Sequence, residues 1–283
     1  MLPLIVIISL LIIYWLLGIR YIRMHCDSLH LNTPNENVII SLTTIPSRSN
    51  KIIPTLNSLL NQSIPARIHI HIPEKANCEP FLKYDFPQEI QNHPNISIIK
   101  HALDFGPAMK FIPAIQQNKG KYILVVDDDN IYPFDLVKNL LGWSERDPSK
   151  VYCTRGWVHT LDYKWETTNT IFSDRISQPE PVSVITGCGG YMISPQIADK
   201  LKMFISDYQN VPRECQLMDD IWISGWLSRF SIKKEIIPTN QRFYPSLSTF
   251  FCQDHLTPER ARKNNVVISY FMDSWKNDYL KNF

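Results

Sequence analysis

Apolar and polar residues follow two alternating patterns through the first half of the chain after residue 37. Short apolar runs predict strands at 38–42, 96–99 and 121–126, and the alternating segment RIHIHI predicts a further strand at 67–72. Apolar residues with helical spacing predict two helices between them, at 52–60 and 104–117. Strands that alternate with helices are typical of a parallel sheet joined by crossover helices. We therefore predict an α/β fold with a mixed, mainly parallel sheet flanked by helices.

The second half of the chain has a less regular pattern. Apolar runs predict three further strands, at 151–155, 182–186 and 191–194. Helical spacing predicts helices at 195–204 and 219–230 and a shorter helical piece at about 257–264. The second half therefore contributes further strands and helices without the strict alternation of the first half.

The N-terminus has a pattern of its own. Residues 1–19 contain no charged side chain and form an apolar stretch long enough to cross a bilayer. A cleaved signal peptide would show a basic start, a shorter apolar stretch and a small-residue cleavage site, none of which is present. We therefore predict a single-pass N-terminal transmembrane helix at 1–23 and a polar stalk at 24–37. Arg20 and Arg23 follow the apolar stretch, and the positive-inside rule would place the remainder in the cytoplasm.

Composition narrows the classes of function. An apolar content of 44% and a charged content of 20% fit a folded globular protein rather than a disordered one. The formal net charge of +2 is too small to indicate nucleic-acid binding. The six cysteines include no Cys-X-X-Cys pair, which argues against a zinc site. Because the net charge is so small, we expect no nucleic-acid partner.

Three consecutive acids end the apolar run at 122–126, namely Asp127, Asp128 and Asp129. Ligands of open α/β sheets bind outside the carboxyl ends of the strands, which is where these acids lie. Neighbouring carboxylates repel one another unless a cation or solvent lies among them. A hard divalent cation held by one or two carboxylates and by substrate phosphates explains such a cluster. The alternative is a solvated turn or the cap of the next segment.

Asp104 and Lys110 belong to the segment DFGPAMK, which opens the predicted helix at 104–117. Asp104 and Pro107 are typical of a helix start, and that structural interpretation accounts for both residues. Lys110 lies one turn further along, near the strand ends. Asp104 and Lys110 are both candidate substrate-binding residues, and Lys110 could pair with the acids or with a nucleotide phosphate.

A second acidic pair, Asp219 and Asp220, opens the predicted helix at 219–230. The helix dipole favours acids at this position, which is a sufficient structural reason for them. A general base must also stay ionised to accept a proton from an attacking hydroxyl. We interpret Asp220 as that base, with Asp219 orienting it or binding the acceptor.

Two further segments are weaker candidates. The glycine-rich loop at 187–190 is interpreted as a sugar-side or acceptor-side loop, although a plain tight turn explains it nearly as well. His255 is a candidate metal ligand, although a lone histidine is more often packed or exposed. If it binds metal, the tail at 251–283 folds over the nucleotide as a lid. Three arginines would then bind diphosphate oxygens: Arg242, Arg260 and Arg262.

Four motifs occur in order along the chain: ISLTTIPSR, DFGPAMK, VVDDDNIYP and DDIWISG. In this combination the chain resembles the nucleotide-sugar glycosyltransferases of the GT-A (Rossmann-like) fold, and most closely a family 2-like group. The resemblance implies a catalytic domain at 38–250, with a nucleotide-binding half at 38–130 and an acceptor half at 131–250. It also implies that Thr43, Thr44 and Arg48 line the nucleotide pocket, and that Gly189 and Gly190 edge the donor sugar and acceptor.

The resemblance further assigns chemistry to the acids. Asp127 to Asp129 would be the DxD motif, with Asp127 and Asp129 holding Mn²⁺ or Mg²⁺ and with Asp127 or Asp128 near the ribose. Asp220 would match the general base of inverting members. The expected activity is that of a hexosyltransferase-type enzyme (EC 2.4). Its partners would be a nucleotide-diphospho-sugar donor, a hydroxyl acceptor on a glycan, glycolipid or glycoprotein, and the membrane.

Two other functions remain open at this point. A metal-dependent phosphoryl-transfer or nuclease-type enzyme could use the same acids, although the small net charge counts against it. An inactive, membrane-anchored binding protein with the same fold is the third interpretation. The side of the membrane is also open, because many anchored transferases face the lumen whereas the charge rule favours the cytoplasm.

Overall fold

The computed structural model describes residues 9, 29, 31–203, 205–246 and 258–276. The strands are β1 (Asn35–Leu42), β2 (Ala66–Pro73), β3 (Ile96–His101), β4 (Tyr122–Val125), β5 (Asn130–Ile131), β6 (Val151–Cys153), β7 (Arg155–Val158), β8 (Asn169–Phe172), β9 (Glu180–Pro181), β10 (Val184–Ile185), β11 (Tyr191–Ile193), β12 (Lys234–Ile236) and β13 (Tyr244–Pro245).

The helices are α1 (Ile53–Leu60), α2 (Gln88–Gln91), α3 (Ile112–Gln117), α4 (Leu136–Arg146), α5 (Pro195–Leu201), α6 (Arg213–Leu217), α7 (Asp219–Arg229), α8 (Pro258–Tyr270) and α9 (Met272–Trp275). Short 3₁₀ helices lie at Pro46–Arg48, Gly106–Lys110, Trp165–Thr167, Ser173–Arg175 and Ile205–Asn210.

An eight-stranded sheet in the order β3-β2-β1-β4-β11-β6-β12-β9 forms the centre of the molecule. Its first four strands are parallel, whereas β11 runs antiparallel to both of its neighbours, β4 and β6. A separate three-stranded sheet in the order β10-β7-β8 lies in the second half of the chain. The prediction of a mixed, mainly parallel sheet with helices is therefore confirmed.

Strand β4 shows why the apolar run before the acids has no polar interruption. Ile123 and Val125 belong to one hydrophobic core, and Leu124 and Val126 belong to another. Successive side chains of a strand point to opposite faces, so helices must cover both faces of the sheet here. A strand buried on both faces carries the acids at its carboxyl end into a cleft rather than into a solvated turn.

The structure corrects several element boundaries. Strand β1 begins at Asn35, so the last residues of the predicted stalk belong to the sheet. The helix predicted at 104–117 is split into the 3₁₀ helix Gly106–Lys110 and α3. Pro113 has no N–H to donate to a preceding carbonyl, which prevents one continuous helix. Helix α4 is absent from the sequence-based prediction, although its apolar positions recur at helical spacing.

The C-terminal helices pack into the core. Val267, Ile268, Phe271 and Trp275 are buried in the same cluster as the apolar residues of α7. A Cβ atom built at Gly225 would lie 2.3 Å from the Phe271 ring, so the glycine permits this close approach. Part of the segment predicted as a tail or lid is therefore integral to the domain.

The described residues contain no helix that is long and apolar enough to cross a membrane. Apart from residue 9, the predicted anchor at 1–23 lies outside the described residues. The anchor, its single-pass topology and the side of the membrane therefore stay predictions.

Candidate active site

A cleft of about 720 Å³ opens where the carboxyl ends of β1 and β4 face the N-terminus of α7. Ten of the twelve predicted site residues within the described ranges line it: Thr43, Thr44, Arg48, Asp104, Lys110, Asp127, Asp128, Asp129, Asp219 and Asp220. Residues more than 170 positions apart in the sequence thus meet at one edge of the sheet.

Asp128 is held by the loop that follows β1. Its Oδ2 accepts a hydrogen bond from Thr44 Oγ1 at 2.5 Å, and its Oδ1 lies 3.0 Å from Arg48 Nη2. Burial raises the pKa of Asp128, while Arg48 and Thr44 favour the ionised form. Both carboxylate oxygens have partners within the protein. This arrangement suits a residue that fixes the acidic loop better than one that binds ribose.

Asp129 lies in a strongly acidic environment. Its Oδ1 accepts a hydrogen bond from Asn130 Nδ2 at 2.8 Å, and its Oδ2 lies 3.4 Å from Arg48 Nη1. Burial, together with the charges of Asp127 and Asp128, raises the pKa of Asp129 to about 7. Additional positive charge from a bound ligand would therefore stabilise the ionised form of Asp129.

Lys110 lies between the two acidic clusters. Its Nζ atom is 2.6 Å from Asp127 Oδ1, 2.7 Å from Asp219 Oδ2 and 3.7 Å from Asp220 Oδ1. Burial disfavours the ammonium, but these three carboxylates outweigh it and hold the pKa of Lys110 well above its ordinary value. Lys110 is therefore a permanent cation inside the cleft, which agrees with the predicted pairing to the acids.

Asp220 lies one residue inside α7, and its Oδ1 accepts a hydrogen bond from the backbone N–H of Gly187 at 3.0 Å. Burial raises the pKa of Asp220 to about 7, with Lys110 opposing the rise and Asp219 and Asp127 adding to it. A carboxylate with a pKa near neutrality can both hold and release a proton, as a general base must.

Gly187 and Tyr132 link the two acidic clusters. The sequence analysis placed Gly187 in a candidate loop without giving that residue its own role, and it missed Tyr132. The Gly187 carbonyl accepts a hydrogen bond from the N–H of Asp127 at 3.2 Å, while its own N–H contacts Asp220. The Tyr132 hydroxyl accepts from the N–H of Asp127 at 2.9 Å and lies 3.2 Å from the Gly187 carbonyl. The motif VVDDDNIYP contains this tyrosine, but only the folded chain shows that it fixes Asp127.

We predict that Gly187→Ala lowers the enzymatic activity expected from the sequence at least about tenfold in a protein that still folds, because the methyl group displaces the side chains of Asp127 and Lys110. A Cβ atom built at Gly187 lies 2.4 Å from Asp127 Oδ1 and 2.7 Å from Lys110 Nζ. The ion pairs of Lys110 prevent either side chain from moving aside freely. Measurement of kcat/KM alongside the melting temperature tests this expectation.

Gly142→Ala is the matched control, because a Cβ atom at Gly142 meets nothing within 4 Å and the residue lies within α4. The control should keep full activity and gain slightly in stability from the better helix propensity of alanine. Equal activity in both variants would contradict the tight packing around Gly187.

Other predicted residues lie elsewhere or have a structural role. Asp104 accepts hydrogen bonds from the N–H groups of Gly106 at 2.7 Å and Asn77 at 2.6 Å, so it organises two loops. Gly189 and Gly190 are not among the described residues that line the cleft. A Cβ at Gly189 would lie 2.7 Å from the Arg155 Cβ, and Gly190 has a φ of +83°. Packing and backbone conformation thus account for both glycines, and their sugar-binding role stays a prediction.

The four candidate lid residues differ in where the structure places them. His255 lies outside the described residues, so its metal ligation stays a prediction. Arg242 pairs with Asp174, and Arg262 pairs with Glu214 and Glu259, away from the cleft. Arg260 does line the cleft, together with Arg213 of α6. Of the three arginines, Arg260 alone is placed by the described structure to meet a ligand there.

The fold and the cleft define the class of protein: an α/β enzyme with clustered carboxylates at the carboxyl edge of a mainly parallel sheet. The chain belongs to glycosyl transferase family 2, whose family model matches residues 47–201, more than half of the sequence. This confirms the resemblance found in the motifs and the GT-A-like fold. A comparison with curated proteins finds no matching sequence.

A solved structure described as the crystal structure of GalNAc-T7 with UDP, GalNAc and Mn²⁺ has the same fold. The TM-score is 0.53 and the sequence identity is 12%, over 84% of this chain and 49% of the other. The present chain therefore spans about half of that protein's length. At this identity the similarity concerns the fold.

Proposed function

We propose that this protein is a metal-dependent glycosyltransferase that moves a sugar from a nucleotide-diphospho-sugar to a hydroxyl acceptor with inversion. One observation carries the proposal: the acids after β4 and the acids that open α7 meet in a single cleft, across Lys110 and Gly187. A donor-side cation site and an acceptor-side base are the two parts that this reaction requires. The acceptor would be a glycan, glycolipid or glycoprotein.

The residues present fit a divalent cation. Arg48 and Lys110 are the basic side chains seen in contact with the five carboxylates of the two clusters, and burial leaves the pKa of Asp129 at about 7. Asp127 and Asp129 would hold Mn²⁺ or Mg²⁺, whose preferred ligands are carboxylate and phosphate oxygens. When bound, such an ion supplies positive charge that stabilises the departing nucleoside diphosphate.

The protein's own residues perform the remaining steps. Thr43, Thr44 and Arg48 lie in the segment that follows β1 and line the cleft, where they would contact the nucleotide. Asp220 accepts the proton of the acceptor hydroxyl while that oxygen bonds to the anomeric carbon. The bond from the anomeric carbon to the diphosphate oxygen breaks in the same step. Attack from the opposite face inverts the configuration, and holding both substrates in one cleft supplies much of the rate.

Membership in the glycosyltransferase family favours this proposal over phosphoryl transfer or a nuclease, which would use the same carboxylates. An inactive binding protein would need neither an acid of raised pKa nor a buried lysine aimed at it. The two carboxylate clusters thus support an active enzyme.

We expect nucleotide-sugars to raise the melting temperature of the protein only when Mn²⁺ is present, because the diphosphate oxygens of the donor would themselves be ligands of the metal. At saturating ligand the shift should be roughly 5 °C. UDP-sugars are the first choice since the structurally similar protein was solved with UDP, and GDP- and CDP-sugars complete the panel. The ligand that stabilises is then tested for sugar transfer. Stabilisation by no nucleotide-sugar, with or without metal, would contradict the proposed function.

A further inference from the structure

Lys110 has an unusual position for a basic residue in a cleft that is proposed to bind a metal cation. It is only 4% exposed, and its Nζ lies within 2.7 Å of an oxygen of Asp127 and of Asp219. Asp127 is one of the two carboxylates proposed as metal ligands. A cation held by Asp127 must therefore share that carboxylate with a fixed ammonium.

The protein itself also provides few ligands for a metal ion. Within residues 31–203, 205–246 and 258–276, no three His, Cys, Asp or Glu side chains are grouped to hold a metal ion. Mg²⁺ and similar hard cations are often held by one or two carboxylates, with substrate phosphates completing the shell. Diphosphate oxygens would provide the ligands that these residues lack.

The ammonium cannot easily leave its place. Three carboxylates surround it, and Ser41 of β1 donates a hydrogen bond to the Lys110 carbonyl at 2.6 Å, which ties the Lys110 backbone to that strand. Like charges a few ångströms apart repel strongly enough to change a binding constant by more than tenfold, even with substantial screening. Lys110 thus opposes any cation that enters without additional negative charge.

We propose that Lys110 makes binding of the divalent cation depend on the nucleotide diphosphate. Without nucleotide, the ammonium neutralises Asp127 and keeps metal affinity low. The diphosphate adds negative charge and oxygen ligands, and only then does the cation bind tightly. This inference rests on the proposed function, because it takes a nucleotide diphosphate as the ligand that enters with the metal. Lys110 acts through Asp127 and is therefore a positioning residue.

The test measures Mn²⁺ binding to the full chain by electron paramagnetic resonance, without and with UDP or whichever nucleotide diphosphate stabilises the protein. In the wild-type protein the nucleotide should tighten Mn²⁺ binding more than tenfold. Lys110→Met should bind Mn²⁺ at least about tenfold more tightly than wild type when no nucleotide is present. The nucleotide should then add much less. A residue with a merely structural role would weaken metal binding when replaced.

Two control variants separate the effect of the positive charge at position 110 from other effects of the substitution. Lys110→Arg keeps a cation and should bind Mn²⁺ without nucleotide as weakly as wild type. Lys150→Met removes an ion pair of similar length, 2.9 Å to Glu235, away from the cleft, and should change nothing. If Lys110→Met fails to fold, Lys110→Met/Asp219→Asn balances the lost charges, and it should bind Mn²⁺ more tightly than Asp219→Asn alone.

The outcomes separate this inference from the proposed function. Metal-dependent sugar transfer with equal Mn²⁺ affinity in wild type and Lys110→Met, or with equal affinity in the double variant and Asp219→Asn, overturns the role of Lys110 and leaves the function standing. Tighter Mn²⁺ binding by Lys110→Met supports the role of Lys110 even if no sugar is transferred, and the proposed function alone then fails.

Discussion

Asp220→Asn is expected to lower kcat by roughly a thousandfold while the donor still binds, since general base catalysis contributes about 10² to 10⁴ in rate. Asparagine keeps the shape of the side chain and can still accept the N–H of Gly187, which lies 3.0 Å from Asp220 Oδ1. It cannot take a proton from the acceptor hydroxyl. Steady-state transfer assays combined with donor binding by calorimetry separate loss of turnover from loss of binding.

The pH profile gives a second readout for Asp220. Burial raises its pKa to about 7, and only the ionised form accepts a proton. The kcat/KM of the wild-type enzyme should therefore fall about tenfold per pH unit below that value and level off above it. At saturating Mn²⁺, which would keep Asp129 ionised, the residual activity of Asp220→Asn should lack this acidic limb. Asp273→Asn, at an exposed carboxylate paired with Lys276, serves as the control. Unchanged turnover in Asp220→Asn would move the base elsewhere, with Asp219 as the next candidate.

Asp129→Ala is expected to abolish metal-dependent sugar transfer, with a loss of roughly 10² to 10⁴ in kcat/KM, because a bound metal contributes several kcal/mol at the transition state. The fold should remain intact. Ionisation of Asp129 costs free energy, because burial and the charges of Asp127 and Asp128 raise its pKa to about 7. Replacement by alanine removes this repulsion. Transfer rates over a Mn²⁺ titration, together with the melting temperature, test both parts.

The comparison for Asp129 is Asp199→Ala, at an exposed side chain that pairs with Lys202 outside the cleft. Its transfer rate and metal dependence should match wild type. Normal transfer by Asp129→Ala in the presence of a chelator would show that the metal assignment is wrong.

Much of the first half of the fold was predictable because its strands are buried on both faces. Continuous apolar runs then stand out at 38–42 and 121–126, and the structure has strands there. The acids at 127–129 were identifiable because they directly follow such a run, and those at 219–220 because they open a helix with apolar residues at helical spacing. The resemblance carried by the four motifs implied that both groups of acids belong to one site, and both groups line the same cleft.

Other parts depended on contacts that local pattern does not encode. Helix propensity could not reveal that Pro113 divides the segment at 104–117, because the break depends on where each proline falls within a turn. The packing of Phe271 against Gly225 joins residues 46 positions apart, so the C-terminal helices looked like a tail. Gly187 and Tyr132 resembled ordinary turn and core residues until the fold brought both to Asp127.

The sequence alone determined the family, the mainly parallel sheet and the carboxylates that line the cleft, because periodicity and motif order are evident along the chain without knowledge of its contacts. The tertiary structure alone decided how those charges are balanced. It places Lys110 between Asp127 and Asp219 and buries the acids enough to move the pKa of Asp220 to about 7. Burial and the distance between charges are set by segments that are far apart in the chain, and no local pattern contains them.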